Sequence, residues 1–598
     1  VSLLTTPILW RRMVAAGDGD FLVTPERRFS HNDLNAGVRR WLAAFDTAQL
    51  REGDRILIRS GNEFATISGF IAALLDGLVP VLLTADTPDQ RALAIIETVG
   101  AACLVADQAR LPADLPTETG LIRIGPAVAT ARRRWFLGGK AGDALPGLPA
   151  PAPREPRLPE DGEGLAYILF TSGTTSSPSG VQISRGNLLA NLATLSRLFE
   201  YNAASRIFND MILAHADGLI QGPMLALANG ACVIRSGGFQ LSRMEEWLNR
   251  VHQERATHVL TVPTIWAMID AYAGHNDYFD GPECRVLSSV AAKLPEDLWR
   301  RLEARFRKPI LNQYGLTETV ASALYAGKHR EMGAFGTIGR PVDCSARIDP
   351  DSATPGEGEL QLRGDNVFPG YWNDPARNLA TFTSDGWMKT GDLARLREDG
   401  SYEIIGRIKT IIMTGGFLIR PDEIDEALLR HPMVRESVTV GADDALFGEI
   451  ALTAVVCEKP VPESQLTAFA RERLESHKVP KRIIPLERIP RGDAGKPRLN
   501  ELRQMLLAAI GTHEGHRLAD ATLEAAVIAV AAEVFRVEPE MLSLHSGPSD
   551  FTGWDSFSQL SFLLAVEEEF AVSIPASRVA GIKTVKDMVG AVRSLQAK

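Results

Sequence analysis

Cysteine is sparse in this chain and nowhere paired. The five cysteines among 598 residues (Cys103, Cys232, Cys284, Cys344 and Cys457) show no C-x-x-C spacing and are odd in number. That argues against a disulfide frame or a cysteine-built zinc site and for reduced thiols. Positive charge is also short: 64 Lys+Arg against 74 Asp+Glu leave a net charge of −10. A generic nucleic-acid binder shows the opposite balance, so no nucleic-acid partner is expected. The deficit is uneven, with 11 acidic and 6 basic residues between Leu518 and Lys598. Long apolar runs are missing too. The most apolar stretch, Phe64 to Ala85, is interrupted by Asp76, Gly77 and Pro80 and reads as a buried helix followed by a buried strand. The first residues lack the basic-then-apolar pattern of a secretory signal. Cytoplasm, with no membrane partner, is the expectation. Repeats and low-complexity tracts are absent.

What is present alternates. Arg55 to Ile58, Glu63 to Leu75 and Val79 to Leu83 give the strand, helix, strand rhythm of a βαβ unit, and similar alternation recurs around Ala101 to Ala106 and Thr257 to Ile269. Pro146 to Glu163, rich in Pro, Gly and charge, reads as an exposed loop. Short β-rich runs dominate from Gly358 to Ile405, and a compact α+β unit follows to near Ile510. Gly511 to His516 reads as a linker. Beyond it, Ala521 to Val534, Ser558 to Phe570 and Val585 to Ser594 carry the apolar spacing of a small helical bundle.

Several motifs carry chemistry. Thr171, Ser172, Gly173, Thr174 and Thr175 follow the apolar strand Ala166 to Phe170. Small hydroxyl residues and glycine let N–H and O–H groups surround phosphate oxygens. This is not a Walker A loop, since Gly-Lys-Ser/Thr is missing. In Asn312-Gln313-Tyr314-Gly315-Leu316-Thr317-Glu318, Asn312 offers an amide to a base edge and Tyr314 a flat face for stacking. Thr317 adds a hydroxyl, and Glu318 a hard oxygen ligand suited to Mg²⁺ beside phosphates. A Gly-Lys loop tip at Gly495-Lys496 can offset charge as a phosphorus is attacked. Gly553-Trp554-Asp555-Ser556-Phe557-Ser558 places a serine at a helix start.

The Thr171 loop resembles the phosphate loop of the adenylate-forming superfamily: acyl-CoA synthetases, luciferases and peptide-synthetase adenylation domains. Asn312 to Glu318, Thr390-Gly391-Asp392, Gly406-Arg407 and the Lys496 loop resemble further motifs of that family, in its order. Two residues depart from the pattern: Ser176 and Ser179 stand for its glycine and lysine, and Arg185 is a candidate to supply the missing charge. The resemblance implies that Asp392 and Arg407 hold the ribose, that Lys409 is the hinge of the C-terminal subdomain, and that Lys496, Glu318 and Thr317 are catalytic. It puts His215, Asp217 and Ala291 in the acyl pocket. There His215 is either a carboxylate-side histidine or a satisfied core histidine. A buried Asp217 needs a cationic substrate group, a hydrogen-bond partner or water. The segment from Leu518 to the last residue resembles acyl and peptidyl carrier proteins, with Ser556 as the phosphopantetheine attachment point.

The expected fold is therefore a large α/β adenylation domain of doubly wound sheets with a β-rich subdomain (1–406). A small α+β C-terminal subdomain (407–510), a linker (511–517) and a four-helix carrier bundle (518–598) follow. The implied activity is an AMP-forming acid–thiol ligase: ATP and Mg²⁺ activate a carboxylic acid as acyl-AMP, which passes to the phosphopantetheine thiol on Ser556. A phosphopantetheinyl transferase and downstream synthase or tailoring enzymes of a nonribosomal-peptide or polyketide pathway are the implied partners. An acyl-CoA ligase with an accessory carrier, or a degenerate fold serving as scaffold, are the alternatives.

Overall fold

In the computed structural model the βαβ rhythm builds parallel sheet. The residues described are 4–125, 143–152, 154–160, 162–171, 179–327, 332–352, 355–407, 412–414, 417–444, 447–490, 497–513, 523–535, 537, 539–547, 550, 554, 556–570, 572, 574–579 and 581–596. The chain divides into two units. The first comprises Val1–Gly238, Gln253–Thr261 and Asp280–Lys409, and the second Phe239–His252, Val262–Phe279 and Thr410–Lys598.

The first unit holds three sheets. A seven-stranded sheet runs parallel through Leu165–Thr171, Val79–Leu82, Arg55–Arg59, Cys103–Asp107 and Gly120–Ile124, with Ser179–Ser184 and Gly370–Tyr371 added antiparallel. Helix Glu63–Leu75 is apolar on nearly every face and buried along almost its whole length, as that composition requires. Asn62 caps it by accepting from the Ala65 amide at 3.1 Å. A nine-stranded sheet contains six adjacent parallel strands, from Ile310–Tyr314 through Val286–Ser289, His258–Thr261, Arg206–Asn209 and Cys232–Ile234 to Asp20–Val23. The β-rich stretch forms a four-stranded antiparallel sheet of Cys344–Ile348, Glu357–Gly364, Met388–Leu396 and Tyr402–Arg407.

The Pro-rich stretch is the largely exposed loop that its composition predicts. Residues 146–152, 154–160 and 162–163 form neither helix nor strand, yet the segment is tied down. The Arg154 guanidinium donates to both carboxylate oxygens of Asp76 (2.7 and 2.9 Å) and to Asp46 at 2.8 Å. The Arg157 amide donates to Asp76 as well, at 3.0 Å. Asp76 is wholly buried at the end of the Glu63–Leu75 helix, so a removed partner would leave an unpaired interior charge.

The second unit contains a sheet of Phe417–Ile419, Ile412–Thr414, Gly448–Cys457, Val434–Asp444 and Arg482–Pro485. Helix Pro421–Leu429 is fastened to it by Asp425, which accepts from Ser437 Oγ (2.8 Å) and Thr439 Oγ1 (2.7 Å). Helix Leu499–His513 includes Gly511, Thr512 and His513, residues assigned to the linker from sequence. The carrier segment shows helices Leu523–Phe535, Ser556–Glu569, Ala576–Val579 and Val585–Gln596. Phe535 stacks on Trp554 at 4.1 Å and meets Phe562 at 5.1 Å, forming its aromatic centre. No helix among the described residues is long and apolar enough to cross a membrane.

Candidate active site

Open parallel sheets bind ligands beyond the carboxyl ends of their strands, and Asn312, Tyr314, His215, Asp217 and Ala291 lie at or just past such ends. Asn312 and Tyr314 close the strand Ile310–Tyr314. Asn312 is almost fully buried and donates from Nδ2 to the Thr337 carbonyl at 2.9 Å. That bond orients the amide so that Oδ1, buried and without a hydrogen-bond partner, is left as an acceptor. An orphaned acceptor inside a protein costs stability unless a ligand donor meets it, and an exocyclic base amine is such a donor. The Tyr314 hydroxyl donates to Asp392 Oδ2 at 2.6 Å, joining the nine-stranded sheet to the four-stranded one. Asp392 pairs in register with Arg407. The two residues assigned to the ribose thus stand opposite each other on neighbouring strands.

After Tyr314 the backbone doubles back. A side chain at Gly315 would collide with the Ala321 carbonyl, so only glycine fits. Thr317–Thr319 form one 3₁₀ turn, and the buried Val320 follows at φ 69°, ψ −67°. The Ala321 amide donates to the Thr319 carbonyl at 2.9 Å across it, a γ-turn of positive φ that is costly for a β-branched residue. This strained corner presents Glu318. Its Oε1 accepts from the Tyr371 hydroxyl at 2.6 Å. Burial first, and then the Glu318 carboxylate, push the Tyr371 phenol well above its ordinary range, so it stays a donor. Arg377 lies over the Tyr371 ring, 3.7 Å from its centre.

Two of the residues assigned to the acyl pocket, His215 and Asp217, follow strand Arg206–Asn209. His215 is exposed at the start of the short helix Ala216–Leu219, so the core-histidine alternative falls away. Gly218 sits so close to the Ile212 carbonyl that no side chain fits. Of the three partners open to Asp217, the structure supplies a hydrogen bond: Gln221 Nε2 donates to its Oδ1 at 2.8 Å. Burial raises the Asp217 carboxyl to about 6, while the Gln221 bond pulls it down. Gln221 lies on the π-helical turn Ile220–Met224, a distortion frequent at functional sites. Its Nε2 also reaches Ser322 Oγ at 3.4 Å, and Ser322 Oγ donates to Gln313 Oε1 at 3.0 Å. Ala291, beyond strand Val286–Ser289, adopts φ 68°, an uncommon backbone for a non-glycine residue.

One expectation is overturned. Arg185 does not supply the charge missing from the phosphate loop. Its guanidinium donates to the Leu165 carbonyl at 3.3 Å and lies 4.0 Å from Glu52. Leu165 begins the strand whose other end, Thr171, leads into that loop, roughly 20 Å away at the usual rise per residue. Ser172, Gly173, Thr174, Thr175, Lys409 and Lys496 lie outside the described residues. Thr171 and Arg407 end their strands, Ser179 opens one, and Ser556 is the first residue of its helix.

Sequence reasoning did not find Tyr371, Thr337, Gln221 or Ser322. A lone glutamine inside the apolar run Leu219 to Ala228 was the available signal for Gln221. Tyr371 carries none, because its link to Glu318 spans 53 positions.

An orphaned amide acceptor closing a parallel strand, a tyrosine–aspartate bridge to the four-stranded sheet and a glutamate held by Tyr371 fit an enzyme of the adenylate-forming class. The chain matches the AMP-binding enzyme family over residues 9–372, the AMP-binding enzyme C-terminal domain over 423–496 and the phosphopantetheine attachment site over 525–592. It belongs to the AMP-binding enzymes and carries a phosphopantetheine attachment domain. It is 34% identical to a sulfoacetate–CoA ligase of Cupriavidus necator, over 59% of this chain and 70% of that protein. It is 30% identical to a 2-succinylbenzoate–CoA ligase of Bacillus velezensis, over 76% and 89%. In fold it is similar to o-succinylbenzoate CoA synthetase from Bacillus subtilis, with a TM-score of 0.71 at 24% identity, covering 84% of this chain and 98% of that one.

Proposed function

We propose that the chain activates a carboxylic acid with ATP and transfers the acyl group to a phosphopantetheine thiol on its own Ser556. The observation that carries this reading is the presence, in one chain, of the Asn312–Tyr314–Asp392–Glu318 cradle and a phosphopantetheine attachment domain. In the first step a substrate carboxylate oxygen attacks the α-phosphorus, and the bond to pyrophosphate breaks. Asn312 Oδ1 accepts from the adenine amine, Tyr314 offers its ring, and Asp392 with Arg407 takes the ribose hydroxyls. Thr171 to Thr175 and Thr317 serve the phosphates. Glu318, with Oε1 held by Tyr371, would contribute a carboxylate oxygen to Mg²⁺, which would offset charge on the ATP phosphates. Lys496 offsets charge at the reacting phosphate, and Lys409 is the pivot between the two steps.

A phosphopantetheine arm supplies a thiol acceptor for the acyl group, with AMP as the leaving group. A phosphopantetheinyl transferase must act on Ser556 beforehand, and separate enzymes of a nonribosomal-peptide or polyketide type would consume the product. A second reading, release of acyl-CoA to solution, is favoured by the relatives, which are named as CoA ligases. Intact-mass measurement of the holo protein with ATP and a panel of acids separates the two. Self-loading adds one acyl mass to the wild type and none to Ser556→Ala or Lys496→Ala. CoA-dependent release that persists undiminished in Ser556→Ala establishes the second reading instead.

A further inference from the structure

The pairing of strands Glu357–Gly364 and Met388–Leu396 is interrupted just where Asp392 sits. Glu359 pairs with Leu393 and Gln361 with Lys389, so Thr390, Gly391 and Asp392 on one strand stand against Leu360 alone on the other. Extra residues on one side of an antiparallel pair leave the ladder as a bulge, a device that re-aims side chains beside active sites. The groups that leave the ladder find other partners. Thr390 Oγ1 donates to the Leu360 carbonyl at 2.7 Å, and the Asp392 amide donates to Thr390 Oγ1 at 3.1 Å. The Gly391 amide donates to Glu359 Oε1 at 2.9 Å. Gly391 adopts φ 75°, and a side chain there would meet nothing within 4 Å. Backbone conformation, rather than space, accounts for the glycine.

The bulge ends at Asp392. Its backbone pairs on the other side with Arg407, and its almost fully buried side chain accepts from the Tyr314 hydroxyl. Glu359 holds the bulge from outside, at the amide immediately before Asp392. Burial pushes the half-buried Glu359 carboxyl above its ordinary range, the Gly391 amide opposes that shift, and the Asp392 charge adds to it. The Glu359 side chain thus meets the Gly391 amide despite a like charge one residue further on. Its backbone stays in the ladder opposite Leu393, so loss of the side chain leaves the strand pairing on both sides of the bulge in place.

We propose that Glu359 is a positioning residue for the nucleotide sugar: through the Gly391 amide it fixes the direction from which Asp392 meets the ribose hydroxyls. This rests on the ATP-activating reading above and adds a residue that acts through Asp392 rather than on the nucleotide. With the amide released, the glycine in the bulge is free to sample other conformations. Asp392 then keeps Tyr314 but loses the fixed backbone from which it reaches the sugar, and a small misplacement is costly at such a contact. The effect is specific. A carboxylate bonded to a hydroxyl discriminates against a sugar that lacks it, because its acceptor is left unmet.

The test is calorimetric titration of the intact chain, in Mg²⁺, with ATP, 2′-deoxyATP and 3′-deoxyATP, which needs no acid substrate. The wild type should bind ATP at least about tenfold more tightly than the more weakly bound deoxy nucleotide. Glu359→Leu should cut that ratio to about threefold or less by weakening ATP, with the affinity for the deoxy nucleotide kept within about twofold. Glu359→Gln, whose amide oxygen still accepts from Gly391, should keep the wild-type ratio. Glu359→Asp, one methylene shorter, should lose it, and decides the matter if Glu359→Leu does not fold. A ratio unchanged in the deciding variant, or ATP and deoxy nucleotide weakened equally, overturns the positioning role alone, since a merely structural residue would do either. A ratio lost in Glu359→Gln overturns it as well. A wild type that binds all three nucleotides equally overturns the ribose role of Asp392 and this inference with it. A wild type that binds none of them overturns the activation reading.

Discussion

Tyr371 and Glu318 meet at 2.6 Å across 53 positions of sequence, the tyrosine hydroxyl donating to one carboxylate oxygen. The tyrosine comes from an edge strand of one sheet and the glutamate from a turn following a strand of another. A carboxylate held on one side by a neutral donor presents its second oxygen in a defined direction. Removing the donor should loosen that direction. Tyr371→Phe is expected to raise the Mg²⁺ and ATP concentrations needed for half-maximal exchange by about tenfold, in line with a hydrogen bond to a charged group. Titrating exchange against Mg²⁺ at fixed ATP checks it.

The Tyr314–Asp392 bridge makes a second prediction. Asp392 is almost fully buried, and Tyr314→Phe removes a donor from its carboxylate. The variant should lose about 1–3 kcal/mol of stability, because a buried carboxylate loses a partner and the ring is otherwise unchanged. ATP should protect the variant less than the wild type in thermal unfolding. An unaltered melting temperature would mean that water or another group replaces the hydroxyl at no cost.

Val320 offers an inverted mutational order. At ordinary backbone angles glycine is the less stable replacement for a buried residue, by about 1 kcal/mol relative to alanine. At φ 69° alanine loses the buried side chain and keeps the strain, whereas glycine loses both. Val320→Gly is therefore expected to be at least as stable as Val320→Ala in denaturant unfolding.

Asp217 ties stability to pH. Its carboxyl is raised from an unfolded value of 3.8 to about 6 by burial, so the folded state binds the proton more tightly than the unfolded chain. Its contribution is full below about pH 4 and is lost as pH rises through 6. The shift corresponds to about 2–3 kcal/mol. Asp217→Asn should flatten this slope between pH 4 and 6.5 relative to the wild type, and the difference between the two melting curves across pH isolates it.

Much of this was legible in the sequence, and the residues show where legibility stops. Helix Glu63–Leu75 has the limits its apolar spacing gives, because a predominantly apolar segment of that length has one stable place, the interior. Asn312, Tyr314, Glu318 and Asp392 were legible as a motif, since each sits within a short run of punctuating glycines and threonines. Arg185 was misread because sequence does not show that it opens a helix at the end of the strand pair opposite Thr171, where its guanidinium meets the Leu165 carbonyl. Tyr371 was missed because its partner Glu318 lies 53 positions away on another element, and such a pairing exists only once the sheets have formed; Gln221 pairs locally, four positions from Asp217, and only its place inside an apolar run marked it. The Pro-rich stretch before Leu165 was read by composition as exposed, but composition does not reveal that Arg154 finds Asp76.

That last pair changes what the stretch is good for. A segment stitched to the base of a central helix behaves as a strap rather than a tether, so a protease acting on the native protein should leave the neighbourhood of Arg154 and Arg157 intact. For anyone wishing to splice in a reporter domain, the most loop-like composition in the first unit marks one of its least permissive addresses.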